Sequence, residues 1–150
     1  MAEDNILKSG NYADRINSYS RHHWAPLLDL IPQIEQADKF EYDPDPEFEA
    51  KLARGIIDLS YSNETELVAR FRELVYDLSI MVDFDWSSWD EGRAMARNEN
   101  FDYDMVDIPT KCKLITAIVR NDRFCDGALA AAFTSGLILK ILNSIKRQLG

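Results

Sequence analysis

The sequence predicts an all-α protein: a single compact domain of about five to six helices spanning residues 1–150. Three observations carry this expectation. Every strong apolar pattern recurs at three- and four-residue spacing, the mark of one helix face, while strand-like alternation is confined to short ambiguous runs such as 79–84. The length of 150 residues suits one domain, and a chain of this size buries roughly 68–70% of its unfolded surface without disulfide or metal staples. Apolar residues make up 46% and aromatics 11%, too much hydrophobe for a disordered chain.

Residues 1–22 are polar and weakly patterned; Ile6, Leu7, Tyr12, Ile16 and Tyr19 allow a marginal helix broken at Gly10. The pattern strengthens over 24–34 with Leu27, Leu28, Leu30, Ile31 and Ile34. Pro26 is expected in the first turn of that helix, where a missing N–H costs nothing, and Pro32 is expected to end or kink it. Asp43-Pro44-Asp45-Pro46 reads as extended chain, since each proline biases the residue before it away from helix. Asp45 and Pro46 then suit the cap and first position of a helix to about Leu59, burying Phe48, Leu52, Ile56 and Leu59. Gly55 would be its weak point, at about 1 kcal/mol relative to alanine.

Ser62, Asn63, Glu64 and Glu66 announce the next helix, with Leu67, Phe71, Leu74, Val75, Leu78 and Met81 as its stripe. Residues 83–108 have no clear pattern beyond a short helix over 89–97. Asp107 should cap a helix burying Leu114, Ile115, Ile118 and Val119. An alanine-rich helix over 123–134 follows, broken by Ser135-Gly136. The last helix buries Ile138, Ile141, Leu142, Ile145 and Leu149, with Lys146 and Arg147 complementing its dipole.

The formal charge of −9 is unevenly spread. Residues 1–110 hold 24 acids and 10 bases; residues 111–150 hold 2 acids and 7 bases. Acids gather over 35–49 and 83–107, interleaved with aromatics, which suggests folded connections whose acids form either a solvated face or an acidic, aromatic-bearing surface suited to a basic protein partner. Nucleic acid is disfavoured by the net charge. No apolar run reaches the ~20 residues of a membrane span, and no leader is visible, so a cytoplasmic setting with free thiols at Cys112 and Cys125 is expected.

Candidate sites are few. Arg120-Asn121-Asp122-Arg123-Phe124-Cys125-Asp126-Gly127 reads as a helix–helix junction, with Asn121 left-handed and Asp122 capping the next helix. The expected arrangement is a corner stapled by the arginines and acids, with Phe124 and Cys125 packed inside. The alternative is a pocket in which Arg120, Arg123 and Asp126 hold an anionic ligand. Trp86 and Trp89, three apart, are candidates for lining a groove or anchoring a partner, or for pinning a loop. His22-His23 lacks further ligands at metal spacing, so neither metal nor cofactor is expected. No catalytic residue is assigned.

At this junction the chain resembles DUF6508, a prokaryotic family of unknown function. Its members carry Arg-Gly-acid-Arg-Phe-Cys-acid-Gly, then a small-residue helix, a glycine break and an Ile/Leu-rich closing helix. Here the match is Arg120, Asp122 to Gly127, Gly136 and the run from Leu137 to Leu149, with Asn121 in place of glycine. Weaker similarity covers Leu27 to Glu35 and the stretch around Trp86 and Trp89. The resemblance implies a compact helical domain and brings no known activity. The expected function is a non-catalytic interaction or regulatory module. An enzyme or binding protein for an anionic small molecule is the alternative, and a homo-oligomer stays open.

Overall fold

A computed structural model describes residues 12–42, 54–55, 64–125 and 127–150. The described residues form an all-α domain; their one strand-like feature is an isolated antiparallel bridge between Glu41 and Glu64. After a short helical segment at 12–17 come α1 (Arg21–Leu28), α2 (Leu30–Gln36) and α3 (Glu66–Asp77). They are followed by α4 (Asp90–Arg97), α5 (Ile108–Asn121), α6 (Ala128–Thr134) and α7 (Leu137–Leu149), with 3-10 turns at Trp86–Ser88 and Tyr103–Met105.

The closing helix α7 is the hub. It packs against α1, α2, α5, α6 and the Tyr103–Met105 turn. Ile138, Ile141, Leu142 and Ile145 are fully buried, as their spacing requires. Around them lie Trp24 and Leu27 from α1, Phe71 and Val75 from α3, Cys112 and Ile115 from α5, and Leu129 from α6. The alanines of α6 let it sit close between α3, α5 and α7. No described helix is by itself long and apolar enough to cross a membrane; α6 and α7 together qualify by length and composition but bend by 69° at their junction, where Gly136 takes φ +86°.

Several local expectations change. The prolines exchange roles. The Ser20 side chain accepts from the His23 backbone N–H and starts α1 early, so Pro26 falls in its interior. The break comes at Asp29, and Pro32 is the third residue of α2, where its missing N–H forfeits no intrahelical hydrogen bond. Gly55 takes φ +78° in a turn at 54–55, so the helix expected to continue to Leu59 does not run through it. The extended run at 43–46, Phe48, Leu52, Ile56, Leu59, Ser62 and Asn63 lie outside the described residues.

Helix α3 has Thr65 as its N-cap and ends at Asp77. Ser79, at φ +56°, turns the chain, so Ile80 and Val82 are buried by the loop and not by a continued helix. His23 and Tyr19 clamp this turn: the imidazole Nε2 donates to the Leu78 carbonyl at 2.6 Å, and the Tyr19 hydroxyl donates to the Ser79 carbonyl at 3.0 Å.

One buried cation sits beside the core. Lys111 is fully buried and donates to Gln148, which in turn donates to the Asp104 and Val106 carbonyls. Burial pushes its ammonium down to about 8, against a partial offset from Asp104. The Asp104 carboxyl itself lies below the usual carboxylate range, held first by the Ser144 hydroxyl and then by Arg147 at 3.1 Å.

Candidate functional site

The junction after α5 differs from its expected form in three ways. Asn121 is the last residue of α5 and has no left-handed geometry; the turn is made at Gly127, with φ +86°. A Cβ at Gly127 would also come within 2.9 Å of Glu41 Oε1, so glycine serves both backbone and space there. Helix α6 begins at Ala128 instead of Arg123, leaving Phe124 and Cys125 exposed on the turn and not packed inside. Arg120 and Arg123 make no ion pair among the described residues, and Asp126 lies outside them.

The staple exists with a different cation. Asp122 accepts the Leu129 backbone N–H at 3.0 Å, close to the capping role expected of it. Its other oxygen takes Arg72 Nη2 at 2.7 Å, and the same guanidinium holds Glu64 in a two-pronged pair. Arg72 is raised above its ordinary value, first by the hydrogen bond to Glu64. The corner is thus tied to α3 across fifty residues of sequence.

The tryptophan segment forms a cleft. In the turn before α4, the Ser87 hydroxyl donates to Asp85 at 2.9 Å, and hydrogen bonds from Ser88 and then Ser87 hold the Asp85 carboxyl below the carboxylate range. Asp90 and Glu91 open α4 and Arg97 closes it, each favourable to the helix dipole. Trp86 and Trp89 form the aromatic wall, Leu114, Ala117 and Ile118 of α5 the floor, and Arg93 and Arg97 one side. The cleft has a volume of about 260 Å³, and Asn121 also lines it. Trp89 lies flat on Gly92 and edge-on to Phe84, and Lys113 sits 4.7–4.8 Å from both ring centroids. Arg93 is fixed by Asp90 at 3.0 Å and by the Ser87 carbonyl; Arg97 makes no ion pair among the described residues. Phe124, 77% exposed, stands with its ring 6.0 Å from that of Trp86.

Of the five site candidates, Trp86 and Trp89 are therefore brought together in one cleft; Arg120 lies in the last turn of α5 and Arg123 in the turn that follows, and neither lines the cleft. Sequence reasoning missed Arg72, Arg93, Arg97 and the α5 floor. A signal for two of them was present, because Trp86, Trp89, Arg93 and Arg97 follow at intervals of three, four and four.

Cys112 is buried, its thiol pushed up to about 12 by desolvation. Cys125 is exposed, contrary to the expectation that it would be buried, while His23 is committed to the Leu78 carbonyl. Among the described residues, no three His, Cys, Asp or Glu side chains gather as a metal would need. A second, smaller hollow of about 180 Å³ lies between Phe101, Asp102, Lys140 and Arg147.

No curated protein and no solved structure matches the chain. The profile of one family does, over residues 19–150, covering the cleft, the Arg72 staple and the closing helix alike. The chain belongs to DUF6508, a family of unknown function.

Proposed function

We propose that the domain is a non-catalytic protein-interaction module of the cytoplasm, and that it docks its partner over the Trp86–Trp89 cleft. The observation that carries this reading is Phe124, a large aromatic ring 77% exposed at the side of Trp86. Apolar rings are costly to leave in water, and tryptophan and other aromatics dominate the binding energy of protein interfaces. Exposed Asp85, Asp90 and Glu91 give the same face its acidic, aromatic-bearing character. The exposed free thiol of Cys125 suits a reducing compartment. A second reading, binding of an anionic small molecule, is favoured by Arg120 and Arg123 lacking ion pairs among the described residues.

The test is capture from native cells with the tagged full chain. A stoichiometric protein should co-purify with wild type and with Met105→Ala, which removes an equally exposed apolar side chain elsewhere. It should be lost with Phe124→Ala or Trp86→Ala. Phe124→Ala should stay within about 0.5 kcal/mol of wild type in urea unfolding, as an exposed position allows. A partner retained by both aromatic variants would overturn the reading.

A further inference from the structure

We infer that the cleft between α4 and α5 is a ligand site in its own right, and that it takes a small aromatic monocarboxylate: one ring and one anionic group. This goes beyond the interaction reading, which concerns what seats on the rim at Phe124 and Trp86, to what lies inside. Volume sets the size of the guest. An apolar cavity of about 150 Å³ holds a benzene ring, and sites for drug-sized ligands begin at about 300 Å³. At about 260 Å³ the cleft has room for a ring and a short polar group. Its surfaces are those a ring prefers: the indoles of Trp86 and Trp89 for offset or edge contact, over an aliphatic floor of Leu114, Ala117 and Ile118.

The polar lining sets the charge of the guest. Among the described residues, two arginines line the cleft and no acid does, although residues 1–110 hold 24 acids against 10 bases. Asp85, Asp90 and Glu91 are exposed on the same face, but none of them lines the cleft. Arg93 is committed to Asp90 and to the Ser87 carbonyl. Arg97 makes no ion pair among the described residues. One free guanidinium matches one carboxylate, which it can hold through two parallel N–H···O bonds. A dianion would leave its second charge without a partner there. Asn121 adds a side-chain amide that makes no hydrogen bond among the described residues. A few such polar groups over an apolar lining are what fix a ligand's orientation in a pocket.

The probes are benzoate, its neutral isostere benzamide, and acetate, each titrated into the isotope-labelled full chain at fixed pH and ionic strength. NMR of the indole N–H groups reads the cleft, since Trp86 and Trp89 line it while Trp24 is wholly buried in the core. Benzoate should shift the Trp86 and Trp89 signals with a Kd of about 10 mM or tighter, as a ligand of this size allows, and leave Trp24 in place. Benzamide should bind at least about tenfold more weakly for want of the charge. Acetate, which has no ring, should move neither cleft indole. Arg97→Gln, at an exposed position, should leave urea unfolding unchanged, weaken benzoate by about tenfold and leave benzamide as it was. No benzoate shift at the cleft indoles, benzamide bound as tightly as benzoate, or indifference of benzoate to Arg97→Gln would each overturn the inference. The interaction reading rests instead on capture lost with Phe124→Ala, so either can fall while the other stands.

Discussion

Arg72 and Arg123 look interchangeable in the sequence, two arginines near acids, and the structure gives them opposite standing. Arg72 holds Glu64 and Asp122 together with side chains that are 28%, 17% and 17% exposed. Its removal leaves two half-buried carboxylates beside each other. Arg72→Ala should therefore cost about 1–3 kcal/mol, between the 0–1 of an exposed pair and the 3–5 of a buried one. Arg123→Ala should stay within about 0.5 kcal/mol, because its side chain is exposed and makes no ion pair among the described residues. Urea unfolding of the two variants side by side checks the pair. At this scale the sequence was half legible. Asp122 could be recognised as an acid that serves the next helix, but it does so from seven residues upstream, accepting the Leu129 N–H, while the N-cap position itself is Gly127. The cation of Asp122 could not be recognised, because Arg72 is fifty residues away and no local rule selects it from among several arginines.

Helix α4 shows how one missing side chain shapes a site. An ideal Cβ on Gly92 would lie 2.2 Å from Trp89 Cε3, inside the indole. Alanine would improve helix propensity by about 1 kcal/mol, yet it forces the ring off its seat against Phe84 and Lys113. Gly92→Ala should accordingly bring no net gain and cost up to about 2 kcal/mol, the range for overpacking less the propensity gain, and should shift tryptophan emission to the red as Trp89 moves into water. Helix α7 invites the opposite experiment. Leu142 is fully buried at the hub, so Leu142→Ala should cost about 2–5 kcal/mol in urea unfolding. Four of the five residues expected in the stripe of α7 are fully buried because a buried helix repeats its period; Leu149, near the end, is only partly covered, and the buried Ser144 was not foreseen because its hydroxyl bonds to Asp104. The α1–α2 break was not readable, since either Pro26 or Pro32 could have ended a helix, and the decision lay in the Ser20 cap upstream. The cleft was legible only as two unusual tryptophans; its floor comes from α5, whose Ile118 reads as ordinary core in the sequence.

For the molecule as a whole, two neighbouring buried groups set the alkaline pH dependence. Lys111 titrates near 8 when folded and near 10.5 as a free side chain, so folding is penalised while the buried ammonium must be charged. That penalty is complete below about pH 8 and is relieved as pH rises through the folded value towards the unfolded one, because the unfolded chain then holds the extra proton. Cys112 acts in the other direction. Its thiol ionises near 12 when folded and near 9.0 when unfolded, so stability is lost above pH 9. Stability should rise by about 1 kcal/mol between pH 7 and 9 and then level off as the two effects cancel, with the buried Tyr103 adding a loss above its ordinary value of 10.0. Lys111→Met should abolish the rise and Cys112→Ala should remove most of the levelling. Denaturant melts at intervals of half a pH unit measure both. None of this was visible in the sequence, where Lys111 reads as one more surface base at the start of a helix.

The contrast between Cys112 and Cys125 equips the protein with an internal clock. A disulfide reagent must reach the sulfur to react, and of the two thiols only that of Cys125 is exposed to solvent. A coloured disulfide reagent should consume one equivalent at once and the second only as fast as the core opens around Cys112. The slow phase then counts openings of the native state with no label attached, and a single burst of two equivalents would show that the core breathes far more freely than its packing allows.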